Sequence, residues 1–244
     1  MAIRNIALGG ASDFAYQEKP ISSTDMNDTF DAAMTKIQSL SAFWLNSELY
    51  DVYDDFEGYS VGAFTDNSKW DITLTSGVNA SGSASIASST NAGGSGKELV
   101  LTGQSGSDSN TGAASAKTLT LTSNKHTFAK FKLTWSSTRY SNSCSWYIYF
   151  GNATDGWSTV YSAGASGGDV TDRAALQDDP ANTVLVVAKG SNVYDVYYGG
   201  KKILSSVTKT NGAQLEFGVS RAGYGVSGTM YMYIDDVRQS KTTS

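Results

Sequence analysis

Residues 193–207 read Val193-Tyr194-Asp195-Val196-Tyr197-Tyr198-Gly199-Gly200-Lys201-Lys202-Ile203-Leu204-Ser205-Ser206-Val207. Two runs rich in β-branched and aromatic residues flank a Gly-Gly pair. Glycine adopts the positive φ that a two-residue hairpin turn requires. The stretch therefore predicts an antiparallel hairpin.

The period of two recurs on both sides. Trp70-Asp71-Ile72-Thr73-Leu74-Thr75 alternates, and so does Lys117-Thr118-Leu119-Thr120-Leu121-Thr122. Thr127 to Trp135 is a longer alternating run, and Ser145 to Phe150 is apolar on both faces, as in a central strand. Tyr53–Phe56, Leu99–Thr102, Thr183–Lys189, Leu215–Ser220 and Thr229–Val237 complete the set. Many short strands with Gly-rich turns and no helical crossovers predict a mainly β protein, an antiparallel jelly-roll sandwich. Residues 76–97 and 103–116, rich in Ser, Gly, Ala and Asn, are expected as loops or short edge strands.

The character of the chain changes near residue 46. Ser22-Ser23-Thr24-Asp25 reads as a helix start, because hydroxyl and carboxylate side chains cap free N–H groups. Met26, Phe30, Ala33, Ile37, Leu40 and Trp44 then follow at steps of 4, 3, 4, 3 and 4, a heptad seam. Such a stripe is buried either on copies of itself or on its own β domain. Self-association is the preferred reading, and the wide Phe30 and Trp44 suit a three-helix bundle. The expected domains are an anchoring arm over 1–21, an oligomerising helix over 22–46 and the β domain over 50–244.

Charged residues make up 17% of the 244, against roughly 25% in typical soluble domains. The net charge is −5 and basic residues do not cluster, so the positive footprint of a nucleic-acid binder is missing. No apolar run approaches the length of a membrane span. The one cysteine, Cys144, and the one histidine, His126, both fall in or beside strand-like runs, where packing roles are expected. Met1 to Leu8 lacks the apolar core of a signal peptide.

Catalytic patterns are missing. Glu18, Glu48, Glu57, Glu98 and Glu216 are the only glutamates, and they form no pair set to flank a glycosidic bond. There is no Gly-x-Ser-x-Gly elbow, and Gly93-Gly94-Ser95-Gly96-Lys97 is not a phosphate loop. The expectation is a protein that is not an enzyme. Fourteen Tyr stand against nine Phe, a tilt toward amphipathic rings that suit wet contacts. Tyr140, Trp157, Tyr161, Tyr194, Tyr197, Tyr198 and Tyr224 fall near loops or strand ends. Trp157 and Tyr224 are the candidate glycan contacts, with outward rings that only stabilise the sheet as the alternative.

Two acidic motifs bracket the β domain: Asp54-Asp55-Phe56-Glu57-Gly58 followed by Trp70, and Tyr233-Ile234-Asp235-Asp236-Val237. This opening and closing pair resembles jelly-roll carbohydrate-binding modules and concanavalin-like lectin or glucanase domains, over roughly residues 52–238. The resemblance implies that the first and last strands lie side by side. It also implies a structural Ca²⁺ held by Glu57 and Asp236, with Asp55 or Asp235 as a further ligand. In a strand of period two, Asp235 and Asp236 would face opposite sides, so only one of them could reach such an ion. The Glu-x-Asp-x-x-Glu strand motif of the glucanases is missing. A second resemblance covers Glu18 to Asp31, whose Asp-x-Asn-Asp-x-Phe pattern is similar to helix-opening segments of tailed-virus fibre and appendage proteins. It implies a homotrimeric virion structural protein: a fibre, spike or capsid decoration protein. Residues 1–21 would dock to other virion proteins, and host surface carbohydrate would be the ligand of the head. The alternative is a carbohydrate-binding module or lectin of a cell-surface or secreted protein.

Overall fold

The computed structural model describes residues 50–240 apart from 94–95, 106–110, 122, 124, 136–138, 141–143, 166–167, 170–182 and 223–227. The arm 1–21 and the helix 22–46, with its seam from Met26 to Trp44, lie outside the described residues, as does Tyr224.

The described residues form sixteen strands. In chain order they are β1 Tyr50–Asp54, β2 Gly62–Ala63, β3 Trp70–Thr75, β4 Ala80–Ala87, β5 Glu98–Ser105, β6 Thr111–Thr118, β7 Thr127–Trp135 and β8 Arg139–Tyr140. There follow β9 Cys144–Asn152, β10 Gly156–Ala165, β11 Gly168–Asp169, β12 Thr183–Ala188, β13 Val193–Tyr198, β14 Lys201–Thr208, β15 Gln214–Ala222 and β16 Gly228–Ser240. A nine-stranded sheet runs β14-β13-β12-β7-β16-β5-β4-β2, with β1 also paired to β16; a five-stranded sheet runs β10-β9-β15-β6-β3. β8 and β11 make a small ribbon. All pairings are antiparallel. The chain crosses repeatedly between the two large sheets, so the domain is a two-layer sandwich. β1 pairs with β16, so the first and last strands do lie side by side.

One core fills the gap between the sheets. Trp146, Ile148 and Phe150 of β9 and Phe217 of β15 face Phe131 of β7 and Met232 and Ile234 of β16, all at most 1% exposed. The Gly199–Gly200 turn joins β13 to β14 with both φ angles positive, 51° and 84°, as the hairpin reading requires.

The sequence reading departs from the structure where side chains are small. β4 and most of β6 fall in stretches expected as loops or edges, yet β6 is an interior strand of its sheet. Here the two sheets approach backbone to backbone. A Cβ on Gly82 of β4 would sit on the Ala113 carbonyl of β6. Such a gap admits only Gly, Ala and Ser, so the strands lack the bulky alternation by which strands are recognised. The expected strand 117–122 ends at Thr118 instead. Thr118 is fully buried and its hydroxyl accepts the Leu215 N–H at 3.0 Å, while Leu119 turns outward at 39% exposure.

The opening acidic motif proves to be a structural knot. Asp54 is 3% exposed. Its Oδ1 accepts the Phe56 N–H at 3.1 Å, and its Oδ2 accepts the Tyr59 hydroxyl at 2.8 Å and the Trp70 indole N–H at 2.9 Å. Phe56, with φ at +59°, packs on Trp70 at 5.7 Å between ring centres and meets Phe64 edge-on at 6.2 Å. One carboxylate thus ties β1, the turn after it and β3 together, which explains the spacing of Asp54 and Trp70. Replacing Asp54 by Ala strands three donors, at about 1–3 kcal/mol for each one that stays buried. Asp54→Ala is expected to lose about 3 kcal/mol or more in denaturant melts, with Asp54→Asn losing less because it keeps a side-chain oxygen.

Candidate functional site

The carboxylates of the two acidic motifs are engaged within the protein. Asp55 accepts the Glu57 N–H at 3.3 Å. Glu57 accepts the Lys97 N–H at 2.7 Å, and the Lys97 ammonium donates to the Glu57 and Tyr59 carbonyls at 2.9 and 2.7 Å. Asp236 is held between two cations, Lys130 at 2.7 Å and Arg238 at 3.0 Å. Lys130 also donates to the Gly93 carbonyl at 3.2 Å.

The strand carrying Asp235 and Asp236 is not regular, which corrects the expectation of opposite faces. The register of β16 against β7 slips between Asp235 and Arg238, and Asp236 has φ at +49°. This β-bulge breaks the alternation, so Asp235 and Asp236 are 1% and 6% exposed, both inside. Asp235 Oδ1 accepts the Asp236 N–H at 2.7 Å, while Oδ2 is buried with no hydrogen-bond partner. Burial first, then the charges of Asp236 and Glu98, pushes the Asp235 carboxyl up to about 8.

Among the described residues no three His, Cys, Asp or Glu side chains stand together as a metal-holding group. Calcium takes six to eight oxygens. At Asp236 it would first have to displace an ammonium and a guanidinium.

Glu98, fully buried, fastens the segment after β4. Its carboxylate accepts the Ser89 hydroxyl, the Asn91 N–H at 3.1 Å, the Asn91 amide at 3.0 Å and the Ala92 N–H at 2.9 Å. With Lys130 bound to Gly93, this segment lies over the outer face of the nine-stranded sheet. Elsewhere on that face Phe128, Leu185 and Tyr197 are buried as a small second cluster. His126 pins the same sheet: its Nδ1 accepts the Ala188 N–H at 3.0 Å, and burial lowers its pKa.

The outer face of the five-stranded sheet is different. Trp146, Ile148 and Phe150 point into the core, so Tyr147 and Tyr149 point out, both half-exposed. Their rings stack at 4.6 Å and 22°. Tyr147 lies across β15: a Cβ on Gly218 would collide with its ring. Its hydroxyl reaches Ser115 and Glu216, and burial, with the Glu216 charge next, raises the phenol to about 12. Trp157 of β10 pairs with Gly151 and Thr159 with Tyr149, which puts Trp157 on the same face two residues along from Tyr149. Small hydroxyl residues fill much of the rest: Thr73 and Thr75 of β3, Ser145 of β9, Ser162 of β10 and Ser220 of β15, all half-exposed or exposed.

A hydrogen-bonded clamp sets the end of the face where Trp157 sits. Asp155, in the β9–β10 turn, accepts from Asn152 at 2.9 Å, from the Asn211 N–H and side chain at 2.8 Å each, and from Thr210 at 3.0 Å. These bonds, led by the one from Asn152, hold its carboxyl well below the usual range. Lys209, 4% exposed, donates to the Gly156 carbonyl.

Of the two sequence candidates for glycan contact, the structure places Trp157 on this open face. Three of the other tyrosines are packing residues. Tyr161 stacks on Tyr198 at 4.8 Å against the core, and Tyr194 is 2% exposed. The sequence marks Tyr147 and Tyr149 as part of a strand apolar on both faces, and the pattern alone does not say which face is covered.

No protein-family model matches the chain and no curated relative matches it. Solved structures similar to it include the enzymatically active domain of tailspike protein 4 of bacteriophage CBA120, at 12% identity and TM-score 0.32, over 73% of this chain and 20% of that one. This chain thus spans about a fifth of the tailspike chain. A family 16 glycoside hydrolase endo-glucanase from Bacteroides ovatus is similar at 11% identity and TM-score 0.42, over 75% and 98%. The carbohydrate recognition domain of Emp47p is similar at 11% identity and TM-score 0.33, over 78% and 98%.

The raised Asp235 has a thermodynamic consequence. In the unfolded chain the carboxyl releases its proton near 3.8, whereas in the fold it keeps it until about 8. The native state therefore binds more protons between those limits, and stability falls as pH rises from about 4 to 8. Asp235→Asn is expected to flatten that slope and to melt higher than wild type at pH 8. Melts at pH 5, 6.5 and 8 read this directly, and parallel curves for the two proteins would contradict it.

Proposed function

We propose that the β domain is a non-catalytic glycan-binding head, and that the chain is a virion structural protein of the fibre, spike or decoration kind, assembled as a homotrimer through residues 22–46. The observation that carries the glycan reading is the row Trp157, Tyr149 and Tyr147 on an open, hydroxyl-lined sheet face. Sugar rings offer apolar C–H faces and a rim of hydroxyls. A ligand of that kind suits amphipathic rings set among Ser and Thr. Among the described residues the face carries two carboxylates, Asp71 and Glu216, and Asp71 is paired with Lys117 at 2.7 Å, which suits binding without turnover. The virion setting rests on the helix-opening segment and heptad seam of the sequence. The same face equally suits a carbohydrate-binding module or lectin of a cell-surface or secreted protein, so oligomeric state separates the two settings.

Two measurements test this reading. In titrations with the oligosaccharide that binds best on a glycan array, Trp157→Ala and Tyr149→Ala are each expected to weaken affinity about tenfold or more with unchanged melting temperature. Full wild-type affinity in both variants would remove the face from the binding site. Light scattering is expected to give three chain masses for the full protein and one for the protein truncated to start at Leu49. Two monomers would discard the trimer and favour the module.

A further inference from the structure

Three charged side chains lie on the face that carries Trp157, among the described residues: Asp71, Lys117 and Glu216. The registers place them in one row with Tyr149, Asp71 beside Lys117, Lys117 beside Glu216 and Glu216 beside Tyr149. They do not cancel evenly. The Lys117 ammonium sits 2.7 Å from Asp71 Oδ2, which neutralises that pair. Among the described residues Glu216 makes no ion pair, and its hydrogen-bonding neighbour is the Tyr147 hydroxyl. The row therefore holds two carboxylates against one ammonium, a net charge of −1, and ends in the half-exposed Glu216 carboxylate beside the stacked tyrosines.

We infer, on the reading that this face binds glycan, that its ligand is a glycan free of carboxylate, sulfate and phosphate groups, with Glu216 setting that preference. Two effects act together. A carboxylate accepts hydrogen bonds from sugar hydroxyls, and charge-assisted bonds of this kind are stronger than neutral ones. The same carboxylate repels an anionic substituent on any ring seated against Tyr149. At a separation of about 6 Å near a protein surface the unscreened repulsion corresponds to at least tenfold in affinity, and salt reduces it with distance. Among the described residues Lys117 is the one cation on the face, and its closest ion pair is with Asp71, so the row stays net negative. The overall charge of −5 acts in the same direction.

The test uses the full protein on a printed array holding neutral glucans, mannans, galactans and xylans beside polygalacturonate, alginate, hyaluronan and chondroitin sulfate. The array is read at about 20 and about 150 mM salt, since screening is weaker at the lower value. Wild type is expected on neutral spots only. Glu216→Gln is expected to bind neutral spots several-fold more weakly and to narrow the gap to the acidic spots about tenfold at low salt. Glu216→Lys is expected to favour acidic spots. Melting temperatures of both variants within a degree or so of wild type would show that the sheet is intact. Equal binding of acidic and neutral spots by wild type overturns the charge preference while leaving the glycan reading standing. An unchanged neutral-to-acidic ratio in both variants removes Glu216 as its cause. No binding of wild type to any spot overturns the glycan reading, and the preference falls with it.

Discussion

Lys130 and Asp236 meet at 2.7 Å inside the protein, each side chain only 9% exposed, on the two strands at the middle of the nine-stranded sheet. Burying two charges is costly unless they pair well and their remaining hydrogen-bonding capacity is met. Here it is met: Lys130 also donates to Gly93, and Asp236 also accepts from Arg238. The pair forms because β16 bulges at Asp236, which turns that side chain to the Lys130 side of the sheet, whereas a regular strand would send it to the side of Ile234. β16 is paired to β7 on one side and to β5 and then β1 on the other, so the bulge lies where both ends of the domain meet. Removing one partner would leave the other as an uncompensated buried charge, which is far more damaging than losing a surface pair.

That arrangement makes the two outer faces unequal. The segment after β4 is bound down on one of them by Glu98 and Lys130, and polar side chains there are spent on the protein's own backbone. On the opposite sheet Tyr147, Tyr149 and Trp157 stay half-exposed, and their neighbours are hydroxyls and the Glu216 carboxylate. Rigidity is supplied from below and from the end: Gly218 lets Tyr147 lie flat, and the Asp155 clamp joins the β9–β10 turn to the turn before β15. A rigid aromatic row loses little freedom when a ligand arrives, and this favours binding.

The sequence disclosed much of this fold where side chains are large. β3, β7 and β13 have the bounds that the alternation of Trp70–Thr75, Thr127–Trp135 and Val193–Tyr198 predicts, and Gly199–Gly200 turns as its composition requires. It was silent where the sheets touch through Gly82, Gly112 and Ala113, because close backbone approach replaces bulky residues by small ones that also read as loop. β10 was missed for a related reason, its alternation blurred by Gly, Ser and Ala and by a bulge near Val160. The acidic motifs were visible as clusters, but their partners, Trp70, Tyr59 and Lys130, are set by pairing across the sheet. Trp157 was legible as a candidate; Tyr147 and Tyr149 became so only once the core side of β9 was known.

The claim that matters most is that ligand meets the outer face of the five-stranded sheet. Backbone amide shifts of the isotopically labelled protein, followed while a neutral oligosaccharide found on the array is titrated, test it most directly. The account predicts shifts concentrated at Tyr147, Tyr149, Trp157, Glu216 and Gly218, with β12 and β13 unmoved. Shifts confined to the nine-stranded sheet or to the turns remote from Trp157 would contradict it.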